Sequence, residues 1–209
     1  MSPPLSRAFF ARPALEVAPS LLGRVLVRTV RGGRRIAARI VETEAYEEGD
    51  PASHSFGGKT ARNAVMFGPP GHLYVYFTYG MHFCANIVTG RQGEGSAVLL
   101  RGAEPLEGLD LMARRRGTRE PLLLCSGPAR LAQAFGLDRR QDGLDLAGNL
   151  DLWVERGASV PPDRIAGGPR IGIRHGTERH WRFQVDGDPF VSGGRRGRVR
   201  AGPRARRTR

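Results

Sequence analysis

Two-residue alternation governs the first half of the chain. Residues 24–30 are β-branched and alternate apolar with polar positions, and residues 35–46 carry the pattern on beyond a Gly32-Gly33 turn. This predicts a hairpin whose second strand ends in two acids and a tyrosine, with a short helix over residues 14–23 before it. Residues 73–78 and 81–88 predict a second hairpin, closed by Tyr79-Gly80. The nearly all-apolar run 97–101 reads as a buried central strand. Residues 47–72 hold eight Gly and Pro and predict a long irregular segment, a length that usually signals function or disorder.

Helical punctuation marks the second half. Residues 104–117 predict a helix, with Pro105 near its start, acids in the early turns, arginines late and Gly117 at its end. Ser126 predicts an N-cap for a second helix from Gly127-Pro128 to Gly136, with Arg130 on its outer face. Residues 150–155 and 181–185 read as closing strands, and 170–173 as a strand or short turn between them. No internal repeat is visible, so solenoids and propellers drop out. No stretch approaches the about 20 apolar residues needed to span a bilayer.

At 209 residues, one core is the default. Charge narrows the partners: 33 Lys+Arg against 20 Asp+Glu leave +13, which favours polyanions. Eight of those arginines fall in residues 195–209 with no acid, so residues 1–194 carry only +5. Lys59 is the only lysine, a bias that a G+C-rich genome explains. Cys84 and Cys125 lack a CxxC spacing and sit in apolar contexts, which predicts two reduced, buried thiols. No export signal opens the sequence, so a cytoplasmic, nucleoid-associated protein is expected.

Glu42 and Glu44 lie two apart, so on a strand they share one face, an arrangement suited to acid–base or metal work. From spacing alone, a solvated strand end is the favoured reading. Asp50, His54, His72 and His82 could complete a metal site but show no tight ligand spacing, so no metal or cofactor is expected. Tyr46, Tyr74, Tyr76 and Tyr79 are all the tyrosines of the chain, gathered in one region, with Tyr74 and Tyr76 on one strand face. Aromatic platforms beside carboxylates, in a basic protein, are what a site needs if it stacks an extracted base and attacks its sugar bond. Phosphate-loop, dinucleotide and nucleophile-elbow motifs are missing.

Several runs together resemble the alkyladenine (3-methyladenine) DNA glycosylase family. They are residues 41–46, His54-Ser55, Arg62-Asn63, residues 73–76 and 79–86, residues 98–101 through 104–108, Ser126-Gly127-Pro128 and residues 169–173. The likeness extends from about Leu21 to about Phe190, with Gly102 where the family more often has Ala. It implies a single mixed α/β (α+β) domain with a curved antiparallel sheet, flanking helices and a protruding β-hairpin that enters DNA. The expected organisation is a flexible lead-in over 1–13, a glycosylase domain over 14–194 and a disordered Arg-rich tail over 195–209.

By the same resemblance, Glu44 is the general base that activates water and Arg101 helps to position that water. Tyr46 and Tyr76 sandwich the base, His54 contacts its edge, Asn86 rejects the exocyclic amine of guanine, the carbonyl of Ile173 completes the water's cage, and Tyr79 intercalates. Glu42 is assigned to structure. Lys59 matches no family nucleophile, which implies a monofunctional enzyme leaving an abasic site. The expected partner is double-stranded DNA with damaged purines, bound by a monomer without a membrane. Two rival readings stand beside this one: a silent nucleic-acid binder and a carboxylate–histidine metal hydrolase. Against the first, a binder has no need of Glu44 beside Tyr46, Tyr76 and Asn86.

Overall fold

The longest strand, β2 (Arg34–Tyr46), organises the rest of the molecule. A computed structural model of the chain describes residues 3–30, 32–78 and 80–193. β2 pairs along one side with β1 (Val25–Val30) through its first half and with β8 (Arg182–Val185) through its second. Its other side pairs with β5 (Ser96–Glu107), which continues to β4 (His82–Thr89) and β3 (Leu73–Thr78). With β6 (Leu152–Glu155) beyond β1 and β7 (Ile165–Gly168) beside β8, an eight-stranded antiparallel sheet results. The sheet curls, and together with a few helices it makes one mixed α/β domain.

The alternation of side chains decides which face each residue serves. Leu73 and Val75 of β3, Ala85 and Ile87 of β4, and Val98 and Leu100 of β5 share the main core. Helices α2 (Ala14–Ser20) and α4 (Pro128–Phe135) cover that face; Val17 and Ala18 of α2 and Leu131, Ala134 and Phe135 of α4 are buried in it. The opposite face of β3, β4 and β5 carries Tyr74, Tyr76, Asn86, Leu99 and Arg101. There Met66 and Phe67, from a 3-10 turn at Ala64–Phe67 in the irregular segment, pack on Tyr74, Val88 and Ala97.

Two register shifts between β2 and β5 place the acidic residues on this second face. Ile40 opposes Ala103 but Glu42 opposes Gly102, so Val41 is an extra residue. Ile36, Ala38 and Ile40 therefore face the core before the shift, whereas Val41 and Ala45 face it afterwards. Glu42, Glu44 and Tyr46 turn to the other side. The next pair is Thr43 with Leu100, which leaves Arg101 as the extra residue of β5. Such bulges bend a strand and re-aim a side chain, and they recur beside active sites.

Several expected elements need correction. Residues 104–107 belong to β5, not to a helix, which begins later as α3 (Leu109–Arg116). Cross-strand ion pairs hold them there, Glu104 with Arg39 at 2.6 Å and Glu107 with Arg35 at 3.3 Å. Pro105 is tolerated because it opposes Ala38 at a register shift, where a strand can do without an N–H donor. Gly108 then turns the chain at φ 73°. The N-cap of α4 is Gly127, not Ser126, whose hydroxyl instead donates back to the carbonyl of Leu122 at 2.6 Å. Residues 170–173 form a loop, and β7 has no counterpart among the expected elements.

Residues 5–10 of the lead-in pack against the sheet. Leu5 and Phe10, the latter in the short helix α1 (Arg7–Phe10), are buried in the main core, and the N–H of Leu5 bonds Val154 at 2.7 Å. Cys84 and Cys125 are buried and unbonded to each other, and burial pushes the Cys125 thiol up to about 12. The expected hairpin-tip residue Tyr79 and the tail 195–209 lie outside the described residues. No helix among the described residues is long and apolar enough to cross a membrane.

Candidate active site

On the second face of the sheet a cavity of about 400 Å³ opens, a size within the about 300–1,000 Å³ range of small-molecule pockets. Tyr76, Asn86 and Arg101 enter it from β3, β4 and β5, and Tyr46 from the end of β2. His54 comes from the segment after β2, and Ile171 to His175 from the loop before β8. The cavity thus joins six residues expected at the site: Tyr46, His54, Tyr76, Asn86, Arg101 and Ile173.

Its aromatic wall is continuous. Tyr74 and Tyr76 stack with centroids 5.6 Å apart and planes 27° apart, while the His54 ring stands edge-on to Tyr76 at 4.5 Å. His54 Nδ1 lies 3.0 Å from the Tyr74 hydroxyl, which fixes the ring. Partial burial, then the nearby charge of Arg62, hold its pKa below the ordinary histidine value. Burial, then the charge of Glu44, push the Tyr46 phenol far up, so its hydroxyl stays a donor. Burial likewise raises Tyr76. Asn86 donates through Nδ2 to the carbonyl of Tyr74 at 3.3 Å, across the β3–β4 ladder.

Glu44 lies just behind this lining. It is wholly buried (0%), and it does not itself line the cavity but is hydrogen-bonded to two residues that do and ion-paired with a third. Its Oε1 accepts the Ile171 N–H at 2.8 Å and lies 3.3 Å from Arg101 Nη1. Its Oε2 accepts the Tyr46 hydroxyl at 2.8 Å. These donors offset the cost of burying a carboxylate. Arg101 joins the two acids, with Nε 3.1 Å from Glu42 Oε1. Burial alone would lower its pKa, but Glu44 and then Glu42 outweigh burial and the net shift is upward.

Glu42 is committed elsewhere. Besides Arg101 it accepts Arg182 Nε at 2.6 Å, the Ser192 hydroxyl at 2.9 Å and the Ser192 N–H at 2.6 Å. Neither acid is at a solvated strand end, as spacing alone had suggested; both are buried. Among the described residues, no three His, Cys, Asp or Glu side chains are grouped to hold a metal ion. Asp50 is bound by Arg170 and His54 by Tyr74.

Sequence reasoning missed two parts of this arrangement. One is the Ile171 N–H, a backbone donor with no signature of its own. The other is the Asp50–Arg170 pair behind Tyr46, whose only trace was the run 169–173.

An α+β domain with an aromatic-lined pocket of this size, backed by buried carboxylates, has the build of an enzyme. The comparisons specify which kind. The family model for methylpurine-DNA glycosylase matches residues 8–189, and the chain belongs to that family. A relative from Burkholderia lata named "Putative 3-methyladenine DNA glycosylase" is 54% identical over 195 residues, covering 90% of this chain and 91% of the relative. Relatives of the same name from Streptomyces avermitilis and Carboxydothermus hydrogenoformans are 53% and 47% identical over 90% of this chain, covering 91% and 98% of their own lengths.

Proposed function

We propose that the protein is a monofunctional DNA glycosylase that removes alkylated and deaminated purines from duplex DNA and leaves an abasic site. In this reading the damaged nucleotide is extruded and its base enters the cavity between Tyr46 and Tyr76. Tyr79, which lies between β3 and β4 in the sequence, fills the gap left in the double helix. Flipping costs a few kcal/mol, which stacking and phosphate contacts offset. A methylated purine is cationic and gains attraction from the aromatic faces. His54 contacts the base edge, and Asn86 excludes the 2-amino group of normal guanine.

Glu44 accepts a proton from water as the water attacks the anomeric carbon. Arg101 and the carbonyl of Ile173 hold that water in line. The glycosidic bond breaks toward the base, and a 3- or 7-methylpurine departs readily because departure neutralises its positive charge. Lys59, the only lysine, does not line the cavity, which supports water rather than an amine as the nucleophile. Duplex DNA is the partner, the active unit is a monomer, and the work is done on nucleoid DNA in a bacterial cytoplasm.

The observation that carries the reading is the Glu44 carboxylate. A carboxylate has about four acceptor positions, and Glu44 accepts two hydrogen bonds, from Ile171 on Oε1 and from Tyr46 on Oε2, with the Arg101 guanidinium ion-paired beside Oε1. In this reading the acceptor position left on Oε2 takes the water. The test is incubation in EDTA with duplexes holding 3-methyladenine, 1,N6-ethenoadenine or hypoxanthine, followed by alkaline cleavage. Strand breaks at the lesion only after alkali support the reading. Breaks without alkali contradict the monofunctional step, and no base release contradicts the enzyme.

A further inference from the structure

The loop before β8 supplies the cavity with Ile171 and Ile173, yet Arg170 within the same run does not line it. Its side chain and that of its ion-pair partner Asp50 are both fully buried (0%). The guanidinium grips Asp50 with both terminal nitrogens, Nη1 on Oδ2 and Nη2 on Oδ1, the latter at 2.9 Å. Nη1 also donates to the carbonyl of Ala45 at 3.0 Å. The guanidinium centre lies 4.7 Å from the Tyr46 ring and 5.2 Å from that of Trp181.

A buried ion pair is rarely the most stable way to fill space, because desolvation consumes much of the Coulombic gain. What distinguishes this pair is its position. Of the two hydrogen-bond donors to Glu44, one is the Ile171 N–H, on the peptide that follows Arg170. The other is the hydroxyl of Tyr46, the ring that Arg170 covers. Asp50 belongs to the segment that brings Ser53 and His54 to the cavity, so the pair also ties one lip of the pocket to the other.

We propose that Arg170 is a positioning residue: braced by Asp50, it holds the Tyr46 ring and the Ile171 N–H where they orient the Glu44 carboxylate toward the reacting water. The proposal rests on the reading of Glu44 as the general base. Lysine at this position keeps the charge but loses the two-pronged grip and the flat stacking surface. A misplacement of about 1 Å at a reacting group can cost about a hundredfold in rate.

The test measures single-turnover excision at saturating enzyme, lesion-DNA affinity and thermal stability for Arg170→Lys, Asp50→Asn and Tyr46→Phe, and for Arg170→Lys combined with Tyr46→Phe. Arg170→Lys is expected to slow excision by about tenfold to a hundredfold, with affinity and melting temperature near those of the wild type. Asp50→Asn approaches the brace from its other side and is expected to slow the same step, so it carries the test if Arg170→Lys does not fold. In the combined variant the Arg170→Lys loss should be smaller than in the wild type, because one path to Glu44 is already cut. A wild-type rate in the folded Arg170 and Asp50 variants overturns the proposal, as do losses that multiply in full. If Glu44→Gln still excises, the reading of the site fails; if it is inert while Arg170→Lys is unimpaired, only the brace fails.

Discussion

Glu42 and Glu44 share a strand and a face, and their hydrogen bonds separate them. Glu42 accepts four, with both oxygens engaged by Arg101, Arg182 and Ser192, while Glu44 accepts two, from Ile171 and Tyr46, just behind the cavity lining. Spacing could show that the two are neighbours but not that they are buried. The partners that make burial tolerable stand 59, 140 and 150 positions away from Glu42. The tyrosine cluster was legible, because alternation alone puts Tyr74 and Tyr76 on one face. At this scale His54 gives a pH prediction. Its folded-state pKa lies below the ordinary 6.5, so below that pH the unfolded chain binds more protons. Stability should therefore be intact above 6.5 and decline as pH falls from 6.5 through the folded value. An NMR titration of the His54 ring should show a midpoint under 6.5 that moves upward in Arg62→Gln. A midpoint at or above the ordinary value would contradict it.

Both hairpins could be read from the chain because each is a local pattern closed by a Gly turn, and the central strand because its apolar run is continuous. Residues 104–107 could not, since proline and acids near a helix start look the same as proline and acids in a bulged strand. The deciding contacts, from Glu104 to Arg39 and from Glu107 to Arg35, are long-range. The Val41 and Arg101 bulges are equally silent in sequence, yet they set which side of the sheet the acids face. β7 is short, holds Gly167 and Gly168 and has no alternation to betray it. The junction between β5 and α3 can be tested through Gly108. At φ 73° a side chain is strained, and a Cβ there would lie 2.7 Å from the carbonyl oxygen of Arg35. Gly108→Ala should lower unfolding free energy by about 1–3 kcal/mol in urea titrations. Its single-turnover excision should stay near wild type, because Gly108 does not line the cavity. Unchanged stability would mean that the junction has another conformation open to it.

Across the whole molecule the family match covers residues 8–189, a span that holds the whole sheet and the cavity, and the tail lies beyond it. The eight arginines of residues 195–209 give a prediction that needs only their charge. Each one that neutralises a phosphate of B-DNA should add about 0.9 to the slope of log K against log salt. Deleting residues 195–209 should therefore flatten that slope by several units while leaving single-turnover excision near wild type. Equal slopes would show an idle tail, and a collapsed rate would show that it supports the domain. The central claim is that Glu44 activates the water. Its most direct test is the single-turnover rate of Glu44→Gln at saturating enzyme on a 1,N6-ethenoadenine duplex, measured beside lesion-DNA affinity and with Glu42→Gln as comparator. The account predicts that Glu44→Gln binds the lesion within a few fold of wild type and releases no base, whereas folded Glu42→Gln still excises. Base release by Glu44→Gln at more than a small fraction of the wild-type rate would contradict it.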